Sequence, residues 1–137
     1  VILPVTDIES AARFYSSVLR LRGERVSPGR HYFGSPGADG AILACYSPRE
    51  DGDAAEHGEA WTPHPFQYLY FSVPDLPGTR RRCVSAGATG VTEIESMPWG
   101  ETLFYAKDPF GNPISFVEAG TEFAGAASGS TESEGAV

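Results

Sequence analysis

Four positions near the N-terminus return near the middle of the chain. Leu3, Val5, Asp7 and Ile8 match Phe71, Val73, Asp75 and Leu76, each 68 residues later. In both places an alternating apolar strand runs into an aspartate able to cap a helix. After "VILPV", Ile8, Ala12, Tyr15, Val18 and Leu19 recur at helical spacing, with Glu9 in the first turn beside the positive end of the dipole. After "QYLYFSV", a helix is expected from Asp75 to about Ala86, with Pro77 tolerable in its first turn and Gly87 at its stop. Strand candidates follow each helix: "GERVS", "RHYFGS" and "GAILACYS" in the first half, "VTEIESM", "ETLFYAK" and "PISFVEA" in the second. Each half therefore reads strand, helix, strand, strand, strand, which predicts an α+β fold of two βαβββ modules.

The modules are expected at 1–47 and 66–120 within one domain, joined by a proline-bounded acidic linker at 48–65, "PREDGDAAEHGEAWTPHP". Residues 121–137 lack a core pattern and read as a flexible acidic tail. "KDPFGNP" is a hairpin-turn signal, Asp-Pro starting the turn and Gly-Asn accepting positive φ. With 10 basic and 18 acidic residues the net charge is −8, which argues against nucleic acid or an anionic membrane as partner. No apolar run approaches the ~20 residues of a membrane helix, and the N-terminus lacks a secretory pattern. Cys45 and Cys83 fall in apolar or helical runs, as buried free thiols of a reducing compartment would, so a cytoplasmic location is expected.

The paired modules, "VTDIESAARFYSSVL" near the start and "DPFGNPISF" near the end, resemble the vicinal oxygen chelate group over residues 1–120. That group includes glyoxalase I, extradiol dioxygenases and bleomycin-resistance proteins. "PWGETLFYAKDPFGN" is most similar to the bleomycin-resistance branch. The resemblance implies curved mixed sheets around a cup, helices outside, and a homodimer.

Metal-dependent members carry His, Gln or Glu ligands at matching points of the modules. Carried over, the glutamate position after the Gly-Asn turn is Ser115, and the position opening the second module is Tyr68. A neutral hydroxyl and a phenol of ordinary pKa near ~10 are poor partners for a divalent cation. No cofactor, no metal ligand and no catalytic residue is therefore expected. His64 sits between Pro63 and Pro65 in the linker, and His31 and His57 have no metal-like spacing to a partner.

Alternation turns Leu69, Phe71 and Val73 under the helices, and Tyr68, Tyr70 and Ser72 toward the cup. On the closing strand, Ile114 and Phe116 go to the helix side and Ser115 and Val117 to the cup. Trp99, Trp61 and His64 are further candidates to line it. Phe33, Tyr46 and Phe104 lie on strands that can present them to the cup or the core. The expected function is a metal-free protein that sequesters an aromatic natural product or antibiotic, in the manner of self-resistance, at a homodimer interface. The alternative is a glyoxalase- or dioxygenase-type enzyme, using either a metal ligand supplied from upstream of Val1 or a cup tyrosine as acid.

Overall fold

The computed structural model describes residues 1–34, 42–53 and 63–123. Module one contains β1 (Ile2–Pro4), α1 (Ile8–Leu19), β2 (Glu24–Ser27), β3 (Arg30–Phe33) and β4 (Leu43–Tyr46). Module two contains β5 (Leu69–Val73), α2 (Leu76–Ala86), β6 (Glu95–Ser96), β7 (Thr102–Lys107) and β8 (Pro113–Glu118). Each module makes one four-stranded mixed sheet, ordered β1-β4-β3-β2 and β5-β8-β7-β6. In each, the opening strand pairs parallel with the last strand and the remaining pairs are antiparallel. The repeat in the sequence is thus a repeat of topology.

Both helices start where the aspartates place them. The Asp7 side chain accepts from the Ser10 N–H at 3.1 Å, and that of Asp75 from the Gly78 N–H at 3.1 Å. Gly87 ends α2 at φ 101°, a conformation that costs a side-chain-bearing residue free energy. A second acceptor was not legible at α1. Glu50, from the start of the linker, accepts from the Ile8 N–H at 2.9 Å and from the Ser47 hydroxyl at 3.1 Å. Asp51 accepts from the Gly29 N–H at 2.8 Å. These linker acids satisfy backbone donors that the helix and turn leave open.

The helices pack on one another and on the inner faces of the sheets. Between them runs a chain of rings through both modules. Phe33 lies 6.4 Å from Tyr15, Tyr15 6.3 Å from Phe71, Phe71 5.2 Å from Phe116, and Phe116 5.1 Å from Phe104. Phe33 and Phe104, considered for the cup, are therefore core residues at the two ends of this chain, where each buries a full aromatic surface.

The turn between β7 and β8 fastens the modules together. Gly111 alone takes the positive φ there, at 86°, and Asn112 works through its side chain instead. Asp108, fully buried, accepts from the N–H groups of Phe110 and Asn112 at 2.9 and 2.8 Å. It also accepts from the Asn112 amide at 2.9 Å and from the Tyr15 hydroxyl at 2.7 Å. Tyr15 belongs to module one, so a buried carboxylate of one module is held by a helix of the other. The Asn112 amide adds a bond to the Pro4 carbonyl at 3.2 Å.

The strand expected over "VTEIESM" shrinks to Glu95–Ser96. Upstream of it, the Thr92 hydroxyl accepts the Tyr105 N–H at 2.9 Å, a ladder donor diverted to a side chain. Arg80 and Arg82 of α2 reach the carbonyls of Thr92 and Val18 at 2.8 and 3.2 Å.

Candidate functional site

The register of sheet two fixes which side chains share the face away from the helices. Tyr70 sits opposite Ser115, which sits opposite Tyr105; Ser72, Val117 and Leu103 form the next row. Tyr68 and Glu101 extend the same parity beyond the strand ends. Leu69 and Phe71 pack on the core, as alternation predicts, and Tyr68 and Tyr70 stand 46% and 45% exposed on the opposite face. The Tyr68 ring meets Tyr105 edge-on at 5.2 Å.

Sequence reasoning missed the centre of this face. Glu101 is only 7% exposed and accepts three hydrogen bonds. The Tyr70 hydroxyl crosses β8 to donate to it, the Trp99 indole N–H donates at 2.7 Å, and the Phe123 N–H at 3.0 Å. The Tyr70 hydroxyl, then the Trp99 indole, hold the Glu101 carboxyl below its ordinary range. Burial, then the bond to Glu101, pushes the Tyr70 phenol up to about 12. The signal was present in the parity of "ETLFYAK": if Phe104 and Ala106 face the core, Glu101 faces the cup. A lone glutamate beside a glycine gives no other sign.

Glu122 lies alongside. It accepts from the Ser72 hydroxyl at 2.7 Å and the Gly120 N–H at 2.6 Å. The Thr121 hydroxyl accepts the Thr102 N–H at 3.2 Å. Residues 121–123, assigned from sequence to the tail, are therefore bonded along the edge of this face.

Of the other expected lining residues, Trp99 is 54% exposed at the rim. Ser115 is buried in the floor, and its hydroxyl donates to the Phe104 carbonyl at 3.4 Å, so it presents no free group to a ligand. Tyr46 faces outward from sheet one, but the Arg30 guanidinium covers its ring at 4.4 Å and its hydroxyl donates to Asp53 at 2.5 Å. Those contacts occupy the stacking surface expected of it. Trp61 and His57 lie outside the described residues. His64 and Tyr68 come together: with Ile2, Pro4, Gln67 and Pro113 they line a cavity of about 210 Å³ at the seam between β1 and β5. The His64 ring accepts from the Phe66 N–H at 3.1 Å. A larger open hollow of about 930 Å³ lies along α1, away from these residues; Glu9 and Arg25 in it are paired at 2.5 Å.

The donor set does not fit a metal of the kind the fold family uses. Tyr68 is a phenol in edge contact with another ring, and Ser115 is bonded to backbone. No group of three or more His, Cys, Asp or Glu side chains converges among the described residues.

The family model for the glyoxalase/bleomycin resistance protein/dioxygenase superfamily matches residues 1–116. The chain belongs to this superfamily. Solved structures agree on the fold. A glyoxalase-related enzyme from Fulvimarina pelagi is 22% identical, covering 86% of this chain and 84% of its own, at a TM-score of 0.68. A glyoxalase/bleomycin resistance protein from Albidiferax ferrireducens T118 is 20% identical, covering 86% and 95%, at 0.69. A superfamily member from Sphaerobacter thermophilus is 23% identical, covering 86% and 93%, at 0.62. No curated protein matches the chain. As a glyoxalase-superfamily fold the chain has two modules, each with one mixed sheet and one helix, and among its described residues no helix is long and apolar enough to cross a membrane.

Proposed function

We propose that this superfamily member binds an aromatic small molecule, a natural product or antibiotic, in the cup without changing it chemically, as a homodimer. The observation that carries the reading is the half-exposed aromatic face of sheet two. Tyr68, Tyr70 and Trp99 offer ring surface beside buried polar anchors, as ligand sites do. At the positions where metal-dependent relatives hold their cation, this chain has a phenol and an engaged hydroxyl. Tyr70 is poorly matched to acid catalysis at neutral pH, because its proton is committed to Glu101 and its pKa stands far above that range. Exposed Ile2 and Phe66, the latter 82% accessible, are apolar surface that a second copy would cover.

Titration of the purified protein with flat aromatic compounds tests the reading. Tryptophan quenching should saturate, the ligand should be recovered intact, and Trp99→Ala should lose binding. Recovery of a modified ligand, or stoichiometric metal linked to turnover, would move the protein to the enzyme class. Sedimentation should show a dimer that Phe66→Glu weakens.

A further inference from the structure

We infer that the exit of α1 and the outer side of α2 form a docking surface for a short acidic polypeptide segment, one whose carboxylates flank an apolar side chain. The surface lies on the helical side of the molecule, away from the aromatic face of sheet two, and does not depend on what that face binds.

The first observation is the segregation of charge. Residues 10–23 carry Arg13, Arg20 and Arg22 and no acid, and residues 76–92 carry Arg80, Arg81 and Arg82 and no acid. Six of the ten basic residues thus fall in two short segments, while the rest of the chain holds all eighteen acids. The fold brings the two segments together. Their helices pack on each other, and the Arg82 guanidinium donates to the Val18 carbonyl in the last turn of α1 at 3.2 Å. Nearby acids are engaged or turned elsewhere. Glu9 pairs with Arg25 and Glu93 with Arg80, and the Asp75 carboxylate caps α2. Glu24 lies opposite Tyr32, on the face of sheet one away from the core. Arg20, Arg22 and Arg81 are exposed, and their guanidinium groups have no ion pair or hydrogen bond among the described residues. One helical turn from Arg81 stand Pro77, Gly78, Val84 and Ser85, so α2 itself offers it no opposite charge.

The second observation is conformational. Arg20 closes α1 in the left-handed region at φ 57°, the one side-chain-bearing residue with positive φ among those described. Gly87 closes α2 in the same region at φ 101°. Glycine takes that conformation without the clash between Cβ and carbonyl that an arginine bears. Strain retained at an exposed, unpaired charge points to a use outside the chain. The third observation is the ground between the charges. Leu21 and Val84, 39% and 56% exposed, lie among these arginines and suit an apolar side chain flanked by carboxylates. A nucleic acid would find no exposed aromatic ring in either segment on which to stack its bases. A long polyanion would also meet the acids that surround the patch, whereas a short acidic segment spans only basic ground.

The test is fluorescence anisotropy of a labelled acidic peptide, acetyl-EDLEEDLEED-amide, with the full chain. Its counterpart with Gln and Asn for every acid, a short single-stranded DNA and phosphatidylglycerol vesicles are run beside it. The acidic peptide should bind at least ~tenfold more tightly than its amide counterpart, and its affinity should fall several-fold as KCl is raised from about 20 to 200 mM. Arg22→Gln and Arg81→Gln should each weaken it several-fold, and Lys107→Gln, at the end of β7, should not. Arg20→Gly should weaken it as well while leaving the Tm unchanged or higher. Equal binding of the two peptides, or an advantage that survives Arg22→Gln and Arg81→Gln together, would overturn the surface. Tighter binding of the DNA or the vesicles than of the acidic peptide would overturn the polypeptide class. A Tm lowered by Arg20→Gly would assign that arginine to the dipole of α1 and overturn its place in the surface.

Discussion

Removing one oxygen from module one should destabilise the whole domain. Tyr15→Phe keeps the ring, its edge contact with Phe14 and its place between Phe33 and Phe71. It deletes only the hydroxyl that donates to Asp108 across a sequence separation of 93 residues. A hydrogen bond to a charged acceptor is worth about 1.5–3 kcal/mol. The buried setting favours the upper half, although the Asn112 amide still serves the same oxygen. A loss of about 2 kcal/mol is expected, which lowers the Tm by roughly 6 °C for a domain of this size. Asp108→Asn should cost about 3–5 kcal/mol, because it turns an acceptor of four bonds into a group whose amide confronts the Asn112 donor. In that background the further change Tyr15→Phe should cost no more than about 1 kcal/mol, a coupling of ~1 kcal/mol or more. Urea denaturation followed by circular dichroism and tryptophan fluorescence gives all four corners of the cycle. If Tyr15→Phe stays within ~0.5 kcal/mol of the parent, or the two changes simply add, the bond does not join the modules.

Four other outcomes follow from the same structure. Burial pushes the Cys45 and Cys83 thiols up to about 12, so a disulfide reagent at pH 8 should react with neither until the protein unfolds. Raised folded-state values also mean stability that is intact below pH 9 and declines as pH climbs toward 12, a decline that Cys45→Ala with Cys83→Ala should flatten. Glu101 has the opposite sign: its lowered pKa contributes stability above the ordinary carboxylate range that is lost as pH falls through the folded value. Glu101→Gln should therefore shrink the difference between Tm values at pH 7 and pH 3. Glu50→Ala should cost about 1 kcal/mol by uncovering the first N–H of α1, read as faster hydrogen exchange at Ile8.

What was legible in the sequence depended on near neighbours. The aspartate caps, the Gly87 stop and the alternation of β5 are decided within a few residues, and the repeat multiplied each signal by two. The faces of Tyr68 and Tyr70 followed from that alternation. What stayed hidden is the work of acids whose partners lie far along the chain. Asp108 looked like a turn starter, yet its heaviest duty is toward Tyr15. Glu101 drew no reading at the head of "ETLFYAK", yet it gathers donors from β5, the Trp99 turn and Phe123. Phe33 and Phe104 went to the core because ring packing across two modules decides their face, and no local period encodes it. Ser115 was placed on the correct face, but its burial depends on what lies over the floor.

The Phe123 N–H bonded to Glu101 has a practical meaning for anyone handling this protein. Phe123 is held at the edge of the face that carries Tyr70 and Trp99, so on the proposed function a group inserted directly after it begins beside the ligand. A reporter inserted there is expected to weaken the proposed binding, whereas one carried on Val1 would sit by the seam of β1 and β5. A dye on a surface cysteine introduced at Arg81, on the exposed side of α2, would report binding without standing in its way.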